Sequence, residues 1–189
     1  MNLAEMASVD LLSRHRASYS RPMTTFTMRH DIDCCPERFW ELFFDNGLQR
    51  RFYAELGFPK WEVVDMKESD AEIVRIVKAI PKLDAPAPVV KLVGPGFGYT
   101  EEGRFDRASK VFRFTVTPST LADKLRNEGS VRVEPRGSGT CTRIVEIVAE
   151  AKIFALGGMI EKMTEKTHRE GWEKSVRHFN AEAKKTAPG

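Results

Sequence analysis

The strongest constraint on this chain is its tail. From about Leu156 to Lys185, the residues Leu156, Ile160, Met163, Thr167, Gly171 or Trp172, Val176, Phe179 and Ala183 recur at helical spacing and keep one face less polar, while charges fill the other. About 30 residues at ~1.5 Å each make a rod of about 45 Å. A helix of that length with one apolar stripe must lie on a broad partner. The residues before it supply one, because from Trp61 the hydrophobic period changes to two. W-E-V-V-D-M-K-E and A-E-I-V-R-I-V-K-A-I predict paired strands joined at Glu68-Ser69-Asp70. G-Y-T-E-E-G-R-F-D and K-V-F-R-F-T-V-T-P predict a second pair, and S-V-R-V-E-P with T-C-T-R-I-V-E-I-V-A-E-A-K a third. Such short turns leave no room for crossover helices, so the strands form an antiparallel meander.

Upstream, T-T-F-T-M-R-H-D-I from Thr24 predicts another strand. Cys35-Pro36-Glu37 then starts a helix, with Pro at its first position and an acid in its first turn. Phe39, Trp40, Phe43 and Phe44 follow at helical spacing, with Trp40 and Phe44 on one face as structural anchors. Asp45-Asn46-Gly47 ends that helix. A second short helix carries Leu48, Phe52 and Leu56 and stops at Gly57 and Pro59. The fold class expected is α+β, with a sheet of about six to seven strands around the long C-terminal helix.

The chain has 189 residues, which suits one domain over residues 23–189 behind a peripheral arm at 1–22. Leu3, Met6, Val9 and Leu12 give the arm one short amphipathic helix, with surface or lipid contact as its sharper alternative. A net charge of +3 is too small to imply nucleic acid. No apolar run is long enough to span a membrane, and no signal peptide is visible. Cys34 and Cys35 are neighbours and Cys141 stands apart, which fits buried thiols in a reducing, cytoplasmic compartment better than a disulfide framework.

The chemical motifs are weak. Gly94, Gly96 and Gly98 look like a phosphate loop but precede a strand where a helix is needed. His15, His30, His168 and His178 show no zinc spacing, so no metal and no cofactor are expected. Gly137-Ser138-Gly139 lies in a hairpin turn, not a nucleophile elbow. Adjacent Glu101 and Glu102 point to opposite faces of a strand and are expected in solvent or near a loop. Arg143 shares the apolar face of Cys141, Val145, Ile147 and Ala149, so it needs a partner: a structural carboxylate or a ligand's polar group. The proline-stiffened segment from Pro81 to Pro95 reads as a core lid or an access flap. Gly171 implies close packing, room for a ligand, or simple tolerance.

The order strand, two short helices, six strands, long helix resembles the START-like, or SRPBCC, superfamily. The likeness is sharpest at D-I-D-C-C-P-E-R-F-W-E-L-F-F-D, residues 31–45, and at Ala-Glu-Ala-Lys running into the helix from Leu156. It looks most like a bacterial branch of unknown function, with some similarity to sterol-transfer domains around Gly94-Pro95 and Lys152. The resemblance implies a helix-grip fold with a hydrophobic cavity. It implies binding or transport of a hydrophobic small molecule, in particular a lipid, without catalysis. Two alternatives stay open: a polyketide cyclase/dehydratase-like enzyme with Arg143, Tyr99 and Glu146 as first suspects, and a co-chaperone-like interaction module using the outer sheet face. The ligand-lining residues expected are Phe52, Tyr99, Phe112, Phe114, Arg143, Val145, Met163 and Trp172. Phe112, Phe114 and Val116 are expected to face the C-terminal helix. Access is expected near residues 81–95 and the loop between the two short helices, and a transient membrane contact is compatible with this arrangement. The sequence leaves the oligomeric state open.

Overall fold

The computed structural model describes residues 23–185. The expected arm at 1–22 lies outside the described residues. Strand β1 (Thr24–Ile32) buries every second side chain, Phe26, Met28, His30 and Ile32, as a period-two pattern requires. Helix α1 (Pro36–Phe44) starts at Pro36, whose missing N–H is no loss in a first turn, and buries Phe39, Trp40, Leu42 and Phe43. Helix α2 (Asn46–Glu55) follows after a single residue. Asp45 both ends α1, donating its N–H to the Leu42 carbonyl, and caps α2, accepting the Leu48 N–H on Oδ1 at 2.8 Å. The expected loop between the short helices is therefore this one capped residue, which leaves nothing there to open.

Strands β2 (Lys60–Glu68), β3 (Glu72–Ile80), β4 (Tyr99–Asp106), β5 (Val111–Pro118), β6 (Leu125–Pro135) and β7 (Cys141–Ala151) complete one sheet. Its order is β1-β7-β6-β5-β4-β3-β2, antiparallel throughout, with a register shift between Val63 and Asp65. Strand β6 begins at Leu125, five residues before the Ser130 start expected. Arg126, Asn127 and Glu128 blur the apolar alternation there, yet Leu125 to Pro135 all pair with β7. A short helix α3 (Ala87–Val93) lies within the proline-stiffened segment expected to be a core lid or an access flap, ending at Gly94 with φ +80°. Helix α4 (Gly157–Lys185) lies across β1, β7 and α1.

Three apolar clusters result. The largest joins the inner face of β1, β5, β6 and β7 to α1 and to Phe179 of α4. Here Phe112 and Phe114 point inward while Arg113 and Thr115 face solvent. Phe112 meets α1 rather than α4, its ring 5.0 Å from that of Phe43, because α1 fills the space over this part of the sheet. Trp40 lies 4.4 Å from Phe105 between ring centroids. Two glycines make room for these rings. A Cβ on Gly103 would lie 2.2 Å from Phe112 Cζ, and one on Gly129 would lie 2.5 Å from the Glu146 carbonyl oxygen and 2.7 Å from Phe114 Cζ. A second cluster holds α3 against Ala151 and Ile160, and a third joins Trp61, Val77 and Ala79 to Tyr53 and Tyr99. Cys34 and Cys141 are buried free thiols and Cys35 is half-buried.

Candidate functional site

Between the aromatic core under α1 and the cluster under α3, the sheet's inner face carries a polar band. Strand register aligns Val77, Glu101, Val116, Asn127, Ala149 and Thr24 in one row across six strands. Inward positions in the middle of a sheet are normally fully buried, yet Tyr99, Glu101, Val116 and Asn127 are half-buried, as are Met163, His168 and Trp172 on α4, of which His168 meets Asn127. Gly171 also faces open space, since an added Cβ there would touch nothing within 4 Å. Close packing is therefore not why that glycine is tolerated.

On one side of the band, Arg75 is 5% exposed and donates from Nη2 to Glu101 Oε1 at 3.2 Å and from Nη1 to the Phe43 carbonyl at 3.4 Å. Its guanidinium lies 5.2 Å from the Phe43 ring centroid and 5.3 Å from that of Phe112, so the aromatic core holds the cation in place. A buried ion pair in such a setting fixes the direction of the carboxylate. Tyr53 stacks on Trp61 at 4.8 Å, and burial pushes its phenol up, with the negative charge of Glu101 adding to the effect. Burial raises the Tyr99 phenol as well, helped by Tyr53 and Glu101. Both hydroxyls are thus neutral donors at ordinary pH.

On the other side, the Asn127 amide Nδ2 donates to His168 Nε2 at 3.2 Å, and Asn127 Oδ1 is buried without a partner among the described residues. Burial lowers His168 from 6.5 to about 4, so the imidazole is neutral and accepts this bond. Only β5 separates Glu101 from Asn127, which puts their backbones about 10 Å apart. Nearby, β5 and β6 part beyond the Val116–Asn127 pair. A cleft of about 330 Å³ lies there, walled mostly by outward-facing residues such as Thr115, Thr117, Arg126, Glu150 and Lys152, with Val116, Leu125 and Asn127 at its inner edge.

Arg143 is fully buried and finds its partners on α4: Nη1 donates to Ser175 Oγ and Nη2 to the Trp172 carbonyl, both at 2.8 Å. The expected structural carboxylate is not its partner, because α4 offers a hydroxyl and a carbonyl first. Burial lowers Arg143 to about 9, still cationic at neutral pH, and the ring of Trp172 lies 4.8 Å away. His30, opposite Arg143 on β1, is lowered to about 4 by burial and then by the Arg143 charge.

The other residues expected at the site fall in different places. Phe112, Phe114 and Val145 are buried in the main core, while Tyr99 belongs to the third cluster and Met163 to the second. Phe52 is buried on α2, 5.1 Å from the His178 ring. Glu146, suspected for acid–base work, faces outward and is exposed, because residue 143 points inward and strand alternation sends 146 the other way. Glu101, expected in solvent, instead points inward to Arg75. The sequence reading missed Arg75, Asn127 and the interior role of His168. The parity that places Arg143 inward also places Arg75 with Ile73 and Val77, and Glu101 with Gly103 and Phe105. Asn127 lies in the blurred start of β6 and carries no such signal.

Residues 27–181 match the model of a protein family of unknown function, DUF2505, and the chain belongs to that family. No curated protein matches it. Solved structures match the fold. TTHA0849 from Thermus thermophilus is 19% identical, with 87% of this chain and 100% of that one covered at a TM-score of 0.62. The Zhui aromatase/cyclase from a Streptomyces species is 14% identical, with 86% and 94% covered and a TM-score of 0.62. A START superfamily protein from Mycobacterium smegmatis is 11% identical, with 88% and 100% covered at 0.55. The architecture is the START-like, or SRPBCC, helix-grip fold. Among the described residues, no group of His, Cys, Asp and Glu is placed to hold a metal ion, and no helix is long and apolar enough to cross a membrane.

Proposed function

We propose that this member of the DUF2505 family binds a hydrophobic small molecule with one polar end, a lipid being the favoured class, in the interior between β4–β6 and α4. The observation that carries it is the half-buried band itself. Tyr99, Val116, Met163 and Trp172 offer apolar and adaptable surface. Asn127 Oδ1 is a buried acceptor that has no donor among the described residues, and a ligand hydroxyl or amide supplies one. In this reading Phe112, Phe114 and Val145 form the floor, Phe52 closes the side towards α2, and Arg143 fixes Trp172. The START-like neighbours support the fold-level part of the proposal and no more. Native mass spectrometry of the purified chain, followed by organic extraction, tests it. A retained amphiphile of low polarity is expected, lost on Met163→Arg with the far-ultraviolet circular dichroism spectrum unchanged. A protein that retains nothing and binds no fluorescent lipid probe refutes it.

One observation favours a second reading, turnover of the ligand. Glu101 is held by a buried arginine, two neutral tyrosine hydroxyls lie near it, and a neutral imidazole stands across β5. Neutral imidazole accepts a proton and a fixed phenol donates one, which are the parts general acid–base chemistry needs. If the ligand is converted, Glu101→Gln and His168→Gln abolish conversion while retention of the ligand survives.

A further inference from the structure

The antiparallel sheet gives the molecule two ends. One of them gathers the starts of β1, β2, β4 and β6, the ends of β3, β5 and β7, helix α3 and the turn into α4. Among the described residues, the large hydrophobic side chains left exposed are Met23, Val64, Ile80, Val90, Phe154 and Met159, and all but Val64 lie at this end. Phe154 is 98% exposed. That position is built. Ala155 takes a left-handed φ of 60°, and the Leu156 N–H donates to the Phe154 carbonyl and the Gly157 N–H to the Ile153 carbonyl, both at 2.8 Å. A non-glycine residue in that region costs about 1 kcal/mol or more, so the chain holds a strained turn in order to project the ring. Beneath it, Leu156, Ile153, Val89 and Val93 anchor both the turn and α3 in one cluster.

We propose that this end docks on an anionic lipid surface, with Phe154, Met159 and Val90 inserted among the acyl chains. The inference rests on the ligand-binding reading above, since a carrier of an apolar molecule must collect it from lipid and return it there. Charge favours a membrane. The connections at this end, residues 57–59, 81–98, 119–124 and 152–156, hold Lys82, Lys91, Lys124 and Lys152 against Asp84 and Asp123. Lys91 is next to Val90, and Lys152 is two residues from Phe154. Lysines ringing inserted apolar side chains are the pairing that anionic headgroups reward. Shape favours it too. Phe154 projects as a single point above the half-exposed Val90 and Met159, a relief that a fluid apolar phase accommodates and a flat protein partner does not.

Co-sedimentation of the full chain with phosphatidylcholine vesicles, with and without 30 mol% phosphatidylserine, tests the proposal, using protein freed of ligand by organic extraction and refolding as well as protein as purified. Binding to the anionic vesicles is expected, weakened as salt rises. Phe154→Asp should lower the affinity by roughly ten- to a hundredfold, the loss that goes with withdrawing one buried aromatic side chain. Its melting temperature should not move, because the ring is 98% exposed among the described residues. Lys91→Glu and Lys152→Glu should each lower affinity severalfold, while Val64→Asp, on the exposed apolar residue away from this end, should leave it unchanged. No binding to any vesicle, or equal binding by Phe154→Asp, overturns docking. A monomeric Phe154→Asp variant of a chain that is otherwise dimeric without lipid overturns it in favour of a second copy. Native mass spectrometry of the same variants separates the two readings: retained ligand with absent vesicle binding sinks docking alone, whereas an empty interior sinks the ligand reading.

Discussion

Gly103→Ala is the sharpest test of the aromatic core. The new methyl would arrive 2.2 Å from Cζ and 2.6 Å from Cε2 of Phe112. Carbon–carbon contact is comfortable at about 3.5–4.0 Å, so the ring would have to retreat by more than ~1 Å. It has nowhere to go. Phe43 meets it edge-on at 5.0 Å, and the Arg75 guanidinium stands 5.3 Å from its centroid. Overpacking of this kind costs about 1–3 kcal/mol, offset by the ~0.5–1 kcal/mol that alanine gains over glycine within a strand. A net loss of ~1–2 kcal/mol is expected, which lowers the melting temperature by roughly 2–8 °C for a domain of this size. Urea unfolding followed by circular dichroism measures it. Adding Phe112→Leu should recover part of the loss, giving a coupling of at least ~0.5 kcal/mol in the double-mutant cycle. Gly129→Ala should be worse and less curable. Its methyl would meet Phe114 and also the Glu146 backbone carbonyl at 2.5 Å, and Phe114→Leu removes only the first of those clashes. If Gly103→Ala is as stable as the parent, or its effect simply adds to that of Phe112→Leu, the ring does not lie where the structure puts it.

Trp40→Ala should cost about 3–5 kcal/mol with no separate effect on ligand retention at temperatures where the variant is folded, as expected of a buried structural anchor. Ser175→Ala leaves Arg143 Nη1 without its hydroxyl acceptor and should cost about 1–3 kcal/mol in the same urea assay. His168 and His30 are both lowered from 6.5 to about 4, so the unfolded chain binds their protons first as pH falls. Stability should hold above pH 6.5 and decline between 6.5 and 4, by up to ~3 kcal/mol for each histidine. His168→Gln should flatten that slope, and an unchanged pH profile would show that His168 is not buried neutral.

Much of the architecture is legible in the sequence because period-two and period-3.6 patterns report directly on which side chains face a core. β1 and α1 stand where Thr24, Pro36 and the aromatic spacing put them. The pattern fails where local composition hides the period. Val89, Leu92 and Val93 of α3 sit among prolines that hide the helical period, and Arg126, Asn127 and Glu128 interrupt the alternation at the start of β6. At the site, alternation brings Arg143 inward, and the same parity turns Glu146 outward, against its expected role. Arg75 and Glu101 share the inward parity too, but the habit of charged residues to face water masks it. The partner that satisfies a buried polar group depends on contacts far along the chain, 26 residues for Arg75 with Glu101 and 41 for Asn127 with His168, and no local pattern encodes those.

The pairing of β1 with β7 has a consequence for the order in which the chain can fold. Asp31 and Thr142 are bonded across 111 positions, so among the described strands β1 has no partner until nearly all of the sheet has been made. At ~5–20 residues per second, synthesis of that interval takes roughly 6–22 s. During that time the β2–β5 meander can pair locally, while the edge of β1 and the aromatic face of α1 wait uncovered. Non-local pairing of this kind slows folding, and a waiting strand edge invites pairing with another chain. Newly made chains should therefore depend on chaperones more heavily than the finished protein's stability would suggest. A circular permutant that joins the two termini and opens the chain at Ser69–Asp70 would make β1 and β7 available earlier, and it should refold faster at the same final stability.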